Sequence, residues 1–254
     1  MGPWVRVRGR DRGLPDAVIP RVGSLSPTAD LHVVRQLELA GCAVLNRADA
    51  TGVSRDKVAC AQVLVSRGVE VPRGALLPAM GSVQGVVRRV GGLPVVVKRA
   101  RGAGGVGVML ARTLEEVVGH ARLLWEVGAQ VLVQEFVAEA RGTDVRVLVV
   151  GGKAVASMER RARAGEFRAN VHLGGVVRPV DLDAGTRRLA ERATRALGLG
   201  LAGVDLVMAR RGPLVVEVNA SPGLWGIERA SGRDLAAVVV RHALRLAGAG
   251  QRAA

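Results

Sequence analysis

The 254-residue chain has no tyrosine, two phenylalanines, three tryptophans, two cysteines and only three lysines, Lys57, Lys98 and Lys153. Each shortage excludes something. With so few rings, and no Lys/Arg tract interleaved with them, the sequence lacks a stacking platform for single-stranded nucleic acid, which argues against direct nucleic-acid binding. Cys42 and Cys60 lack the spacing of a metal site or a disulfide framework and read as free, half-buried thiols in a reducing compartment. No run of eighteen uncharged apolar residues occurs, and MGPWVRVRGRDRG contains no apolar leader. The expectation is a soluble, cytoplasmic chain without a membrane segment.

What is plentiful is arginine. It produces nearly all of the net charge of +15, which suggests acidic partners such as a nucleotide, a polyacid or the ribosome. Against this background a retained lysine marks a place where a guanidinium does not fit, and a compact ammonium suits a point contact to phosphate. Asparagine is as rare as lysine, at Asn46, Asn170 and Asn219. Apolar residues make up 49% of the chain, enough for the cores of two small domains or one large one.

Periodicity and turn chemistry predict α+β organisation with antiparallel hairpins. DAVIPRVG (16–23) gives a short strand, Asp30 caps a helix ending at Gly41, and Ala43–Asn46 forms another strand, a βαβ-like opening. DKVACAQVLVSRG predicts a helix that stops at Gly68. Strands follow at Pro94–Lys98, Val108–Leu110 and Gln130–Phe136, with a capped helix from Thr113 to about Val127 between the last two. DVRVLVVGGKAVASMERR reads as a hairpin turning at Gly151-Gly152, and AGVDLVMARRGPLVVEVN as a second turning near Arg211-Gly212. Helices are predicted over Asp183–Leu197 and Arg233–Leu246.

A turn centred near Arg211 sets Asp205 opposite Glu217, with Glu217 and Asn219 on one face. Opposed Cβ atoms lie roughly 4.5–5.5 Å apart. Two carboxylates at that range repel unless a cation intervenes, and hard oxygens of this kind suit Mg²⁺ bound jointly with phosphate. The alternative is a pair of exposed edge acids. Gly102, Gly104, Gly105 and Gly107 lie between two strands with Lys98 beneath them, the arrangement of a flap over a triphosphate, although glycine hairpins are common. The end of QEF could read an adenine edge, with Glu135 or Asp144 meeting ribose hydroxyls, or be an ordinary edge strand. Arg160, Arg161 and Arg168 could neutralise phosphate or developing charge, and His172 is either a base or a plain loop histidine.

In order along the chain, DAVIPRVG, RDK (55–57), VVVK with its glycine loop, VQEF, GTDVRVLVVG, ERRA…GEFRANVHLGG, AGVDL and EVNASPGLWGIE resemble the ATP-grasp superfamily, and within it the RimK-type α-L-glutamate ligases. The resemblance implies an ATP-grasp fold of two α+β lobes clamping ATP, with a shortened N-terminal domain over 1–50, a central lobe over 51–132 and a C-terminal lobe over 133–254. It implies that Lys57 and Lys98 contact phosphates, that Gly104, Gly105 and Gly107 cover them, and that Glu135 and Phe136 hold adenine. It assigns ribose to Asp144, nucleotide contacts to Arg168 and Asn170, and two Mg²⁺ (or Mn²⁺) to Asp205, Glu217 and Asn219, with Glu217 shared. The reaction implied converts a carboxylate to an acylphosphate, which an amine then attacks. Arg168, Arg160 and Arg161 would stabilise the oxyanion. Glutamate added to the C-terminus of an acidic or ribosomal protein is the first expectation, with a homo-oligomer left open. Trp225 replaces a common acid and Leu173 a common arginine, so another amino acid or a small-molecule acceptor is the second expectation. An inactive nucleotide- or ribosome-binding remnant is the third.

Overall fold

The computed structural model describes residues 4–7, 10–23, 26–102, 104–163, 166–169 and 175–251. An antiparallel pair, β1 (Trp4–Val7) and β2 (Arg10–Gly13), opens the chain and was not foreseen. The predicted βαβ unit follows: β3 (Ala17–Val18), α1 (Ala29–Leu39) and β4 (Ala43–Val44), with β3 and β4 parallel. The N-cap of α1 is Thr28, and Asp30 lies in the first turn instead. A carboxylate there still favours the helix N-terminus. Asn46 then pins this unit to the rest. Its Oδ1 accepts from Gly200 N (2.7 Å) and Leu201 N (2.9 Å), and its Nδ2 donates to the carbonyls of Leu201 and Ala220.

After α2 (Ala48–Ser54), α3 (Lys57–Ser66) starts on Asp56, whose carboxylate accepts from Val58 N and Ala59 N. A four-stranded antiparallel sheet comes next. Its strands are β5 (Gly74–Leu77), β6 (Val95–Arg99), β7 (Val108–Ala111) and β8 (Val131–Glu135), in the order β5-β8-β6-β7. Alternation decides its two faces. Val95, Val97, Val131 and Val133 bury under α4 (Val83–Arg89) and α5 (Leu114–Glu126), whereas Val96, Lys98 and Gln134 face a cleft.

The second sheet is five-stranded and antiparallel, in the order β11-β10-β9-β12-β13. Its strands are β9 (Thr143–Val150), β10 (Lys153–Arg161), β11 (Val176–Pro179), β12 (Leu201–Ala209) and β13 (Gly212–Asn219). Val145, Val147, Val149, Val204 and Leu206 pack on α3 and on α6 (Ala184–Ala196). The opposite face changes character along its length. Leu148, Val150 and Leu201 bury beneath α7 (Trp225–Ser231) and α8 (Leu235–Gln251). Asp144, Arg160, Asp205 and Glu217, beyond those helices, line the cleft. Among the described residues no helix is long and apolar enough to cross a membrane.

Candidate functional site

The cleft runs between the two sheets. The predicted pair is present: Asp205 lies opposite Glu217. The turn that produces it differs from the one expected. Ala209 pairs with Gly212, so the turn is Arg210-Arg211, and this register alone would set Asp205 against Val216. A bulge after Asp205 inserts Val216 as an extra residue and carries Glu217 to the cleft face.

Neighbouring cations offset the repulsion between the acids. Arg146, opposite Asp205 on β9, donates from Nε and Nη2 to the two Asp205 oxygens at 2.7 Å each. Arg160 pairs with both oxygens of Asp144 at 2.6 and 2.7 Å and reaches Asp205 Oδ2 at 2.9 Å. Burial alone would push the Asp205 carboxyl up, but the two guanidiniums outweigh it and hold it below the usual range. The charge on Arg160 is secured in turn, its pKa raised by Asp205 and Asp144 against the effect of burial.

Glu217 Oε1 lies 3.3 Å from Lys57 Nζ, which also donates to the Gly102 carbonyl at 2.8 Å. One ammonium therefore joins the acid of one sheet to the glycine loop of the other. Lys98 is buried and donates to Gln134 Oε1 at 2.8 Å. Burial, and then the nearby Lys57, bring its pKa down to about 8.

The loop glycines have a local cause. Arg99 turns its guanidinium into the loop, and a Cβ at Gly107 or Gly102 would lie 3.0 or 3.1 Å from it, at positive φ in both cases. Gly104 and Gly105 line the cleft, while Gly107 lies behind them against Arg99. From the opposite lobe Arg168 donates to the Gly105 carbonyl at 3.0 Å and pairs with Glu166, whose carboxyl it holds at about 2.

Of the residues singled out in the sequence, Lys57, Lys98, Gly104, Gly105, Glu135, Phe136, Asp144, Arg160, Arg168, Asp205 and Glu217 share this one cleft. Glu135 points its carboxylate at Arg211 and Arg73, and the Arg211 bonds in particular hold it at about 2. Asn219, two residues beyond Glu217 on β13, accepts from Ser221 N at its Oδ1 at 2.9 Å. Arg161 falls on the other face of β10, 62% exposed and 3.7 Å from Glu159. Asn170, His172 and Leu173 lie outside the described residues. Sequence reasoning missed Arg146 as the partner of Asp205. Its signal was the alternation Asp144-Val-Arg146-Val, which sets acid and base on one face.

A family model for the RimK-like ATP-grasp domain matches residues 54–243. The chain belongs to this family. Among its relatives is "Probable alpha-L-glutamate ligase" of Sodalis glossinidius (strain morsitans), 45% identical over 94% of this chain and 80% of the relative. The protein of the same name in Serratia proteamaculans (strain 568) is 43% identical over the same shares. Among solved structures, an ATP-grasp RimK domain protein from Sphaerobacter thermophilus DSM 20745 superposes with a TM-score of 0.71 at 22% identity, covering 94% of this chain and 86% of that one. The D-alanine-D-alanine ligase from Coxiella burnetii gives 0.73 at 19% identity, covering 98% and 77%. These two establish the ATP-grasp fold. As a RimK-like protein with glutamate-ligase relatives, the chain is an ADP-forming ligase that makes a carbon–nitrogen bond.

The family uses ATP and Mg²⁺. Among the described residues no group of three His, Cys, Asp or Glu could hold a metal. Mg²⁺ takes one or two carboxylates and completes its shell with phosphate oxygens and water. Glu217 presents a carboxylate to the cleft. Asp205 uses three of its roughly four lone-pair sites on Arg146 and Arg160, which leaves one. The donors present therefore fit a cation that arrives with a nucleotide.

Proposed function

We propose that the protein joins L-glutamate to the C-terminal carboxylate of a protein or peptide through an acylphosphate. The observation that carries this reading is the meeting of Lys57, the glycine loop and Glu217 at one point between the sheets. The glutamate assignment is supported by the names of the relatives.

Lys57 and Lys98 would hold phosphate oxygens as point charges, and the N–H groups around Gly104 and Gly105 would cover them. Phe136 and the backbone beside Glu135 would hold adenine, with Asp144 near the ribose and Asn170 on the nucleotide. Glu217, Asp205 and Asn219 would hold two Mg²⁺. Magnesium bound there offsets the charge that builds as a phosphoryl group meets a carboxylate. Arg160, preset by Asp144, and Arg168 would then stabilise the oxyanion formed when the amine attacks. Arg161, on the other face of β10, takes no part in this step. A covalent enzyme intermediate is not needed. The cysteine nearest the cleft, Cys60, is buried, and burial together with Glu217 pushes its thiol up to about 12, so it stays protonated and inert.

A second reading keeps the chemistry and changes the substrate to another amino acid or a small-molecule acceptor. Trp225 favours it: the residue is 66% exposed with the Arg229 guanidinium over its ring, at a position where the resemblance to the family leads one to expect an acid. Product mass after incubation with Mg²⁺-ATP, glutamate and a panel of acceptor peptides separates the two. Gain of whole glutamate residues supports the first reading. ADP release with other amino acids alone replaces it with the second.

A further inference from the structure

Glu135 ends β8 in the four-stranded sheet, and Arg211 stands in the β12–β13 turn of the five-stranded sheet. Their side chains meet in a bidentate pair, Arg211 Nη1 to Oε1 and Nη2 to Oε2, each at 2.7 Å. The acid's side of this contact is already built within its own lobe. Arg73 donates to Oε2 from its backbone N at 3.1 Å and from Nε at 3.2 Å, and Glu135 N donates to the Arg73 carbonyl at 2.8 Å. Gly91 leaves room for the Arg73 guanidinium, which a Cβ there would overlap. The acid is fixed and 13% exposed, whereas Arg211 is 45% exposed and reaches it from the other lobe.

This contact spans the place where the chain crosses between the sheets. The crossing, residues 136–142, lines the cleft with Phe136, Val137, Ala140 and Gly142. Arg211 is not one of the residues lining the cleft, and its guanidinium is bonded to Glu135, which is. A bidentate guanidinium–carboxylate pair sets angle as well as distance, which an ammonium cannot do.

We infer that Arg211 is a positioning residue: through Glu135 it fixes the crossing segment, and with it the base end of the cleft, at the spacing that binds ATP. This rests on the reading of the cleft as an ATP site. The test is calorimetric titration with Mg²⁺-ATP, alongside steady-state ADP release. It compares the unsubstituted protein with Arg211→Ala, Arg211→Lys, Glu135→Gln and the double variant Arg211→Ala/Glu135→Gln. In Arg211→Ala, Kd and KM for ATP rise about tenfold with kcat within about twofold. Arg211→Lys recovers part of the loss, and the double variant is no weaker than its worse parent. Unchanged affinity in Arg211→Ala, or full additivity in the double variant, overturns the inference while leaving the ATP reading intact. If the unsubstituted protein binds no ATP, the ATP reading falls and this inference with it.

Discussion

The four-stranded sheet meets the cleft with a buried lysine and a glycine loop, and the five-stranded sheet with acids largely bonded to arginines. Both present charge on alternate strand positions, over a core of valines on the opposite face. They differ in where that charge is balanced. Among the described residues Lys98 has a neutral amide, Gln134, as its hydrogen-bond partner, and its lowered pKa records the burial. Asp144, Arg160, Asp205 and Arg146 neutralise one another within their own sheet. One sheet therefore presents a buried ammonium whose charge is met by an amide, while the other meets its acids with guanidiniums of its own.

This difference can be broken from either side. The largest effect is expected at Glu217, the acid of the second sheet that faces the first. Glu217→Gln should lower the rate of ADP formation by about 10³-fold or more while the melting temperature stays within a few degrees. Next is Asp205→Ala. It leaves Arg146 and Arg160 short of a partner in a buried site and should cost about 3–5 kcal/mol of stability, read by denaturant unfolding. Lys98→Met should do the reverse, weakening ATP binding by about 10- to 100-fold with stability unchanged or raised.

The same lysine predicts a pH dependence. Its folded pKa of about 8 lies below the ordinary ammonium value of 10.5, so between those limits the unfolded chain binds more protons and stability rises with pH. Phosphate needs the ammonium form, so ATP affinity falls above about pH 8, and that limb is absent in Lys98→Met. The smallest effect is Gly107→Ala. A methyl 3.0 Å from Arg99 Nε, at φ +69°, should cost about 1–2 kcal/mol and raise KM for ATP a few-fold.

Much of this contrast was legible in the sequence, because rarity and alternation are local signals. Lys57 and Lys98 stood out among arginines, and period-two spacing put Glu217 with Asn219 and opposite Asp205. The pairing was right for an incomplete reason. The turn is one residue tighter than expected, and an unforeseen bulge at Val216 restores the register. Contacts between distant strands were not legible. Arg146 meets Asp205 and Arg211 meets Glu135 only once the strand order is fixed, and no local period encodes that order, whereas Arg160 meets Asp144 across the expected β9–β10 hairpin after an unforeseen bulge at Val155 shifts the register by one. Helices α2, α4 and α7, each seven residues long, were missed for a related reason: two turns carry too little periodicity to read.

In the function proposed, the two lobes act together on nucleotide and Glu217 is the acid that completes the site. Magnesium-dependent ADP release, measured with glutamate and acceptor peptides for the unsubstituted protein and for Glu217→Gln side by side, tests it most directly. ADP and a glutamate-extended product are expected from the first protein and neither from the second, although both remain folded. Equal turnover by the two proteins would contradict that function.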